Sequence, residues 1–337
     1  MQDPVSRASL RSAGIEVYPK LSPKCKDILS TNIHLAIGMF DGVHLGHQAV
    51  IEQAVAAAIS DPDSGSGVLT FDPHPSRVLR PDNATELLVS LPERIELMRS
   101  LDLDYVFVQE FTREYSEGEA SKFVTKMKTV FPGLKSLHVG SNFRFGAGRI
   151  GSVDTMLEQA SRCGIEVHVL DRKVLGGEAI SSSRIRRHLA SGEIEYVNEM
   201  LGFSYTVSGR IVEGKQIGRT LGFPTLNVQW RPEALPRFGV YKAWLLSEKG
   251  GDPQPGVANF GLRPTVSGNE DPLLELHLLE PKRIPETGST IHVALTNFLR
   301  PEQVFPSITD LKEQIFRDIK EAAAIPGDKV ESHKFRR

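Results

Sequence analysis

Ile33-His34-Leu35-Ala36-Ile37-Gly38-Met39-Phe40-Asp41-Gly42-Val43-His44-Leu45-Gly46-His47 is the stretch on which the reading of this chain turns. Ile33 to Ile37 reads as a buried strand. A tight glycine turn follows, and a helix begins near Gly46 and runs to about Ile59. His44 and His47 are three residues apart, so both lie on one face of that helix's first turn. Gly46 removes the side chain between them and lets a ligand approach the backbone. A helix N-terminus carries free N–H groups and partial positive charge, which suit a phosphate. Two imidazoles above an anion site can donate to phosphoryl oxygens or to a leaving group. Half of a zinc site is the competing chemistry for His-x-x-His, but no cysteine or glutamate cluster nearby completes a metal set.

The strand, the Gly-x-Phe-Asp-Gly turn and the histidines resemble the HxGH signature of the nucleotidyltransferase superfamily. That resemblance implies transfer of a nucleotidyl group from a nucleoside triphosphate with release of pyrophosphate. Gly38, Phe40, Asp41 and Gly42 are then candidate ligand contacts, and His44 and His47 candidate catalytic groups.

Around this motif the pattern is strand and helix in alternation up to about Gly202. Strands are expected at 33–37, 67–71, 104–109, 135–139 and 165–170, and helices at about 46–59, 92–101, 116–131 and 152–163. Ser116 and Glu119 have the spacing of a capping box for the third helix. Five strands with helical crossovers predict a parallel, doubly wound sheet, whose ligands bind at the carboxyl ends of the strands. Other segments converge on that edge. His74 sits between Pro73 and Pro75 after the second strand, and Asn142 follows the fourth with Phe143 and Phe145, aromatics suited to stacking on a flat ring. Gly146-Ala147-Gly148-Arg149-Ile150-Gly151 matches a dinucleotide fingerprint, with Asp171 about 20 residues further on. Ser141 to Phe145 separate it from its strand, however, so a nicotinamide-binding oxidoreductase stays a minor alternative. In Ile180-Ser181-Ser182-Ser183-Arg184-Ile185-Arg186, hydroxyls cap a helix, and with Arg186 they form a second anion site.

Past Ser204 the pattern changes to short strands separated by glycine and proline: 205–212, 239–246, 256–260, 273–279 and 290–298, then one helix at about 308–323. This predicts a small antiparallel β-barrel with a C-terminal helix. The domain division is a 1–30 extension, an α/β domain at 31–202, the barrel domain at 203–325 and a polar tail at 326–337. Within Gly214 to Asn227, three glycines (Gly214, Gly218, Gly222) allow backbone N–H groups to wrap phosphates, although the spacing is not that of a Walker loop. Pro224 precedes Thr225 and Asn227, which share one face of an extended segment. Their oxygens are hard ligands suited to Mg²⁺ carried with ATP. In Leu274-Glu275-Leu276-His277-Leu278 the leucines face a core and Glu275 faces away, where a carboxylate can take a proton from an acceptor hydroxyl.

The order of motifs covers nearly the whole chain: Gly-x-Phe-Asp-Gly-x-His-x-Gly-His, Phe-Asp-Pro-His-Pro, Gly-x-Asn-Phe-x-Phe-Gly, Ile-Ser-Ser-x-x-Ile-Arg, Gly-Phe-Pro-Thr-x-Asn, Gly-Val-Ala-Asn-x-Gly-x-Arg-Pro-Thr and Glu-x-His-Leu-Leu. This series resembles the bacterial bifunctional riboflavin kinase/FAD synthetase family. The resemblance implies that the barrel phosphorylates riboflavin with MgATP to FMN, and that the first domain adenylylates FMN with ATP to FAD and pyrophosphate. It also implies that His44 and His47 serve adenylyl transfer. Asn142, Ser182, Ser183 and Arg186 would bind ATP or flavin phosphates, and His74 would border the flavin. Gly218, Gly222 and Pro224 would line the ATP segment, Thr225 and Asn227 would hold Mg²⁺, Glu275 would be the base, and Arg300 would occupy a flavin-side loop. Departures from the family pattern are Ser183 for threonine, Val266 for an aromatic, and a short Pro281–Ser289 segment lacking the usual Asp-x-Asp-Leu-Tyr-Gly. The alternatives are an FMN adenylyltransferase whose barrel only binds flavin, and a non-catalytic flavin-binding descendant.

Composition sets outer bounds. A length of 337 residues fits two domains, and 40% hydrophobic with 24% charged residues is ordinary for a soluble protein. A net charge of −2 gives no case for nucleic acid as a partner, and two cysteines, Cys25 and Cys163, exclude a disulfide framework. With no apolar run of about 18 residues, no membrane partner is expected. The expected setting is cytoplasmic, with riboflavin, FMN and ATP as small-molecule substrates and no tightly bound prosthetic group.

Overall fold

The computed structural model describes residues 16–18, 31–214, 218, 221–246, 252–264, 270–326 and 330. Thr265, Val266, Cys25, five residues of the glycine-rich run (215–217, 219 and 220) and nearly all of the basic tail lie outside this range. The chain forms two compact units, Met1–Ser181 and Ser182–Arg337.

The first unit is built on a parallel sheet of six strands: β1 (Glu16–Tyr18), β2 (Asn32–Ile37), β3 (Ser64–Asp72), β4 (Tyr105–Glu110), β5 (Leu134–Gly140) and β6 (Glu166–Leu170). Their order is β1-β4-β3-β2-β5-β6. After β1 at the edge the chain enters β2 near the centre, fills one side through β3 and β4, then crosses to the other side of β2. The order therefore reverses beside β2, and a doubly wound sheet places its ligand crevice at the carboxyl end of such a point. Strand β1 was not read in the sequence; it extends the sheet by parallel pairing of Glu16–Tyr18 with Tyr105–Phe107.

Helices α1 (Leu45–Ser60), α2 (Pro75–Leu79), α3 (Leu91–Arg99), α4 (Arg113–Ser116), α5 (Phe123–Val130) and α6 (Val153–Cys163) connect the strands. The expected 116–131 helix is broken in two. Thr112 caps α4, Ser116 is that helix's last residue, and α5 begins only after a 3₁₀ turn at Ala120–Lys122. Capping boxes form instead at Ser90 with Glu93 and at Ser152 with Thr155. The core between α5, α6 and the sheet gathers Leu35, Ile37, Phe107, Phe131, Leu137 and Met156. A polar chain is also buried beside α1. His34 Nδ1 lies 2.7 Å from Ser136 Oγ, that oxygen lies 2.7 Å from His138 Nε2, and His138 Nδ1 lies 3.3 Å from Gln53 Oε1.

The second unit opens with two helices, α7 (Ser182–Ser191) and α8 (Ile194–Leu201), the latter closed by left-handed Gly202. A closed antiparallel barrel follows, in the order β10-β13-β12-β11-β14-β9. Its strands are β9 (Tyr205–Val212), β10 (Leu226–Gln229), β11 (Gly239–Leu246), β12 (Gln254–Pro264), β13 (Glu270–Leu278) and β14 (Thr290–Pro301); a two-stranded hairpin at Val174–Leu175 and Glu178–Ala179, in the first unit, supplies β7 and β8. Short β10, the sixth stave, was legible only as an extended segment. The interior holds Val207, Val228, Tyr241, Phe260, Leu274, Leu276 and Leu295. Helix α9 (Ile308–Ala324) packs outside, with Ala322 and Ile319 against Val240, Val257 and Leu299. Lys242 Nζ donates to the carbonyls of Ile325 and Pro326 at 2.8 and 3.1 Å, capping the C-terminal end of α9. Among the described residues no helix is long and apolar enough to cross a membrane.

Candidate functional sites

In the first unit, the turn after β2 is wound tightly. Phe40, Gly42 and Val43 all have positive φ, at 53°, 78° and 42°. For the β-branched Val43 this conformation is strained. Three bonds enforce it: Val43 N donates to Phe40 O at 3.0 Å, Gln48 Nε2 to Val43 O at 2.8 Å, and Thr70 Oγ1 to Met39 O at 3.1 Å. The sharp winding brings His44 directly onto the N-cap of α1.

There the two imidazoles stack face to face, with centroids 3.6 Å apart and planes 14° from parallel. The His44 Nδ1 accepts the His47 backbone N–H at 3.3 Å, so the neutral ring carries its proton on Nε2. A side chain at position 46 would press on the His44 ring, since a Cβ there lies 3.2 Å from two of its atoms. No acidic residue occupies the first turn of α1, which leaves its positive end uncompensated. Burial is the main cause that lowers the His44 pKa to about 4; Arg172 lowers it further and a backbone hydrogen bond opposes. Burial also holds His47 well below its ordinary value, helped by His44 and Arg94. Its Nδ1 is enclosed and has no hydrogen-bond partner among the described residues. Burial thus disfavours a charge on either ring.

Other residues of the motif lie behind this surface. Phe40 is 1% exposed and meets His47 edge-on at 5.3 Å; Asp41 is 2% exposed and accepts the Leu88 N–H at 3.0 Å. Sequence reasoning missed Arg94, 2% exposed, whose Nη1 and Nη2 donate to Met39 O at 2.7 Å and Phe71 O at 3.2 Å. In the sequence nothing distinguishes it from Arg99 at the end of the same helix.

His74 caps α2, its Nδ1 accepting from Ser76 N at 3.1 Å and lying 2.8 Å from Ser76 Oγ. Asn142 is exposed just beyond the carboxyl end of β5. Phe145, expected to stack on a ligand ring, is buried in the core and packs on Phe123 at 4.5 Å. The Gly146–Gly151 segment is a 3₁₀ turn closed by paired bonds between Phe145 and Gly151, so it makes no pyrophosphate cradle for α6. Ser182, Ser183 and Arg186 stand on α7, at the start of the second unit.

In the barrel, register assembles the second site. Asn227 pairs with Glu275, and Glu275 with Asn259 on its other side, so three polar side chains form a row across β10, β13 and β12. Residues opposite one another share a face, and here it is the outer one, because Val228, Leu274 and Leu276 fill the interior. Gly214 covers Asn227 so closely that a Cβ there would lie 2.3 Å from its amide nitrogen. Thr225 lies just before β10, and a Cβ on Gly218 would lie 3.4 Å from its hydroxyl. Pro224 and Gly222, with φ 94°, lead into this segment. The donor set is amide, hydroxyl and carboxylate oxygen, hard ligands that fit Mg²⁺ entering with a nucleotide. Among the described residues no three His, Cys, Asp or Glu gather as a metal cage. Arg300 is committed to Asp318 of α9, with two bonds of 2.8 Å, and so anchors that helix to β14.

Two family models match successive stretches of the chain. The family model for FAD synthetase matches residues 27–184, and that for riboflavin kinase matches residues 201–325. A protein of Escherichia coli K12 named bifunctional riboflavin kinase/FMN adenylyltransferase is 37% identical over 284 residues, 84% of this chain and 90% of its own. A Haemophilus influenzae protein of the same name is 34% identical over 290 residues, 86% and 93% of the two chains. A solved Streptococcus pneumoniae structure described as a macrolide-efflux protein shares the fold, with a TM-score of 0.81 at 22% identity over 93% of this chain and 99% of that one. The chain belongs to the bifunctional riboflavin kinase/FMN adenylyltransferase family.

Proposed function

We propose that the two activities of this family, phosphorylation of riboflavin to FMN and adenylylation of FMN to FAD, are run by the residues assembled at the two sites. The observation that carries the first assignment is the Asn227–Glu275 pairing across β10 and β13. In riboflavin phosphorylation the Glu275 carboxylate accepts the proton of the riboflavin hydroxyl as its oxygen bonds to the γ-phosphorus of ATP and ADP leaves. Asn227 and Thr225 would hold the nucleotide's Mg²⁺, which supplies neutralisation of phosphate charge. Gly218, Gly222 and Pro224 shape the backbone around those phosphates.

In adenylyl transfer an FMN phosphate oxygen bonds to the α-phosphorus of ATP, and the bond to the β-phosphate oxygen breaks to release pyrophosphate. His44 and His47, as neutral donors, stabilise charge on the phosphoryl oxygens. The N-terminus of α1 adds its free N–H groups. Gly38 and Gly42 wind the turn, and Asn142 and His74 are assigned to the ligand edge; Ser182, Ser183 and Arg186, at the start of α7, are assigned to phosphate binding.

The test is to incubate the full chain with riboflavin, ATP and Mg²⁺ and separate the flavins over time, with a parallel reaction started from FMN. FMN appearing before FAD supports both assignments. Glu275→Gln should stop the first reaction and spare the second; loss of both, or of neither, refutes the assignment of Glu275.

A further inference from the structure

The proposed cation ligands straddle the beginning of β10. Asn227 is inside the β10–β13 ladder, which runs from Leu226–Leu276 to Gln229–Leu273, whereas Thr225 lies one residue outside it. Backbone pairing is hard to extend past Leu226, because Pro224 has no N–H to donate. Something else must fix Thr225 if its hydroxyl is to act together with the Asn227 amide.

His277 occupies the position to do so. It stands two residues beyond Glu275 on the same face of β13, opposite to the leucines that enter the core. Its Nδ1 lies 2.9 Å from the carbonyl oxygen of Pro224. A carbonyl only accepts, so Nδ1 carries the proton. The same ring meets Phe223 edge to face, with centroids 5.7 Å apart and planes at 86°. One imidazole thus grips the two residues immediately before Thr225. From the other side Phe223 N donates to Gly218 O at 2.7 Å, and a Cβ on Gly218 would lie 2.5 Å from Phe223 O, so the backbones touch there.

We propose that His277 is a positioning residue of the phosphorylation site. Its side chain replaces the ladder bond that Pro224 interrupts, and it sets Thr225 beside Asn227 in front of Glu275. The inference rests on the reading of Thr225 and Asn227 as the residues that receive the nucleotide's cation.

The experiment compares His277→Leu, which removes the donor, with His277→Asn, whose Nδ2 sits at the same number of bonds from the backbone. Both are made in the full chain. Trp230 and Trp244 are the only tryptophans, and both belong to the second unit. Their fluorescence therefore reports titration with Mg²⁺ and a non-hydrolysable ATP analogue, independently of turnover. His277→Leu is expected to raise the Kd for the analogue and the KM for MgATP about tenfold or more, equal to about 1.4 kcal/mol, with FMN-to-FAD conversion retained. His277→Asn is expected to recover most of that loss and to keep the parental pH profile. Parental affinity in His277→Leu overturns the proposal, as does a His277→Asn variant as impaired as His277→Leu. Should His277→Leu fail to fold, the Kd of His277→Asn decides alone, a tenfold loss counting against the clamp. Thr225→Ala and Asn227→Ala separate the premise. If they leave the Mg²⁺ dependence intact, the cation reading falls and the proposal with it; if they are impaired while His277→Leu is not, only the proposal falls.

Discussion

Replacing Arg94 by alanine tests whether the adenylyl-transfer turn is held from behind. The guanidinium is 2% exposed, donates to the carbonyls of Met39 and Phe71, and faces the carboxylates of Asp41 and Asp72. Its removal leaves two carbonyl oxygens without this donor and an enclosed Asp41 without its balancing charge. Breaking a buried charged arrangement from one side costs about 3–5 kcal/mol. For a unit of this size that corresponds to a fall in melting temperature on the order of 10 °C. Arg94→Lys keeps the charge but cannot fork to both carbonyls, so it should fall between. The assay is residual activity after stepwise heating of the full chain, read separately for FMN adenylylation and riboflavin phosphorylation. The adenylylation midpoint should drop by that amount while the kinase midpoint holds. An Arg94→Ala adenylylation midpoint within about 2 °C of the parent, less than 1 kcal/mol for such a unit, refutes the argument.

Further outcomes are expected. His44→Ala and His47→Ala should each lower FMN adenylylation by about 10²–10³-fold while riboflavin phosphorylation persists, measured by flavin chromatography. The first unit should lose stability in acid. His44 and His138 titrate in the folded state at about 4 and about 3, and His34 and His47 are also lowered, all mainly by burial. The unfolded chain therefore binds protons first as the pH falls below 6.5, so stability declines from there until the folded values are reached, by roughly 3 kcal/mol for His44 and roughly 5 kcal/mol for His138. Denaturant midpoints between pH 7 and 4 check this; a flat profile counts against it. Lys242→Met should destabilise the barrel unit by about 1–3 kcal/mol through loss of the bonds to Ile325 and Pro326, read by thermal unfolding.

The regular parts of the fold were legible because their signals are local. Ile33 to Ile37 is an unbroken apolar run, and Leu274-Glu275-Leu276-His277-Leu278 alternates cleanly, so strand type and inward face follow from period alone. Elements defined by their partners were not legible. Strand β1 is three residues long and exists through pairing with β4. The break between α4 and α5 lies where Thr112 takes the cap that the sequence offered to Ser116, and Glu119 makes no side-chain cap bond to the following turn. The histidine pair could be placed on its helix, but not the stacking of its rings, which depends on a turn with three left-handed residues among Phe40 to Val43. Asp41 and Phe145 are both buried, and burial of a polar or aromatic side chain at a strand end depends on what folds over it.

Strand β10 makes the barrel a linked system. It is four residues long, it closes the ring between β9 and β13, and it holds Asn227. On the proposed assignment of Asn227, a nucleotide bound there would be attached to the shortest stave and would stabilise the closed ring. At a hundred times the dissociation constant that linkage amounts to about 2.7 kcal/mol. Opening of the ring, followed through amide hydrogen exchange on β9, β10 and β13, should therefore slow with nucleotide concentration. Substrate scarcity in turn would loosen the barrel at its seam before the rest of the unit unfolds.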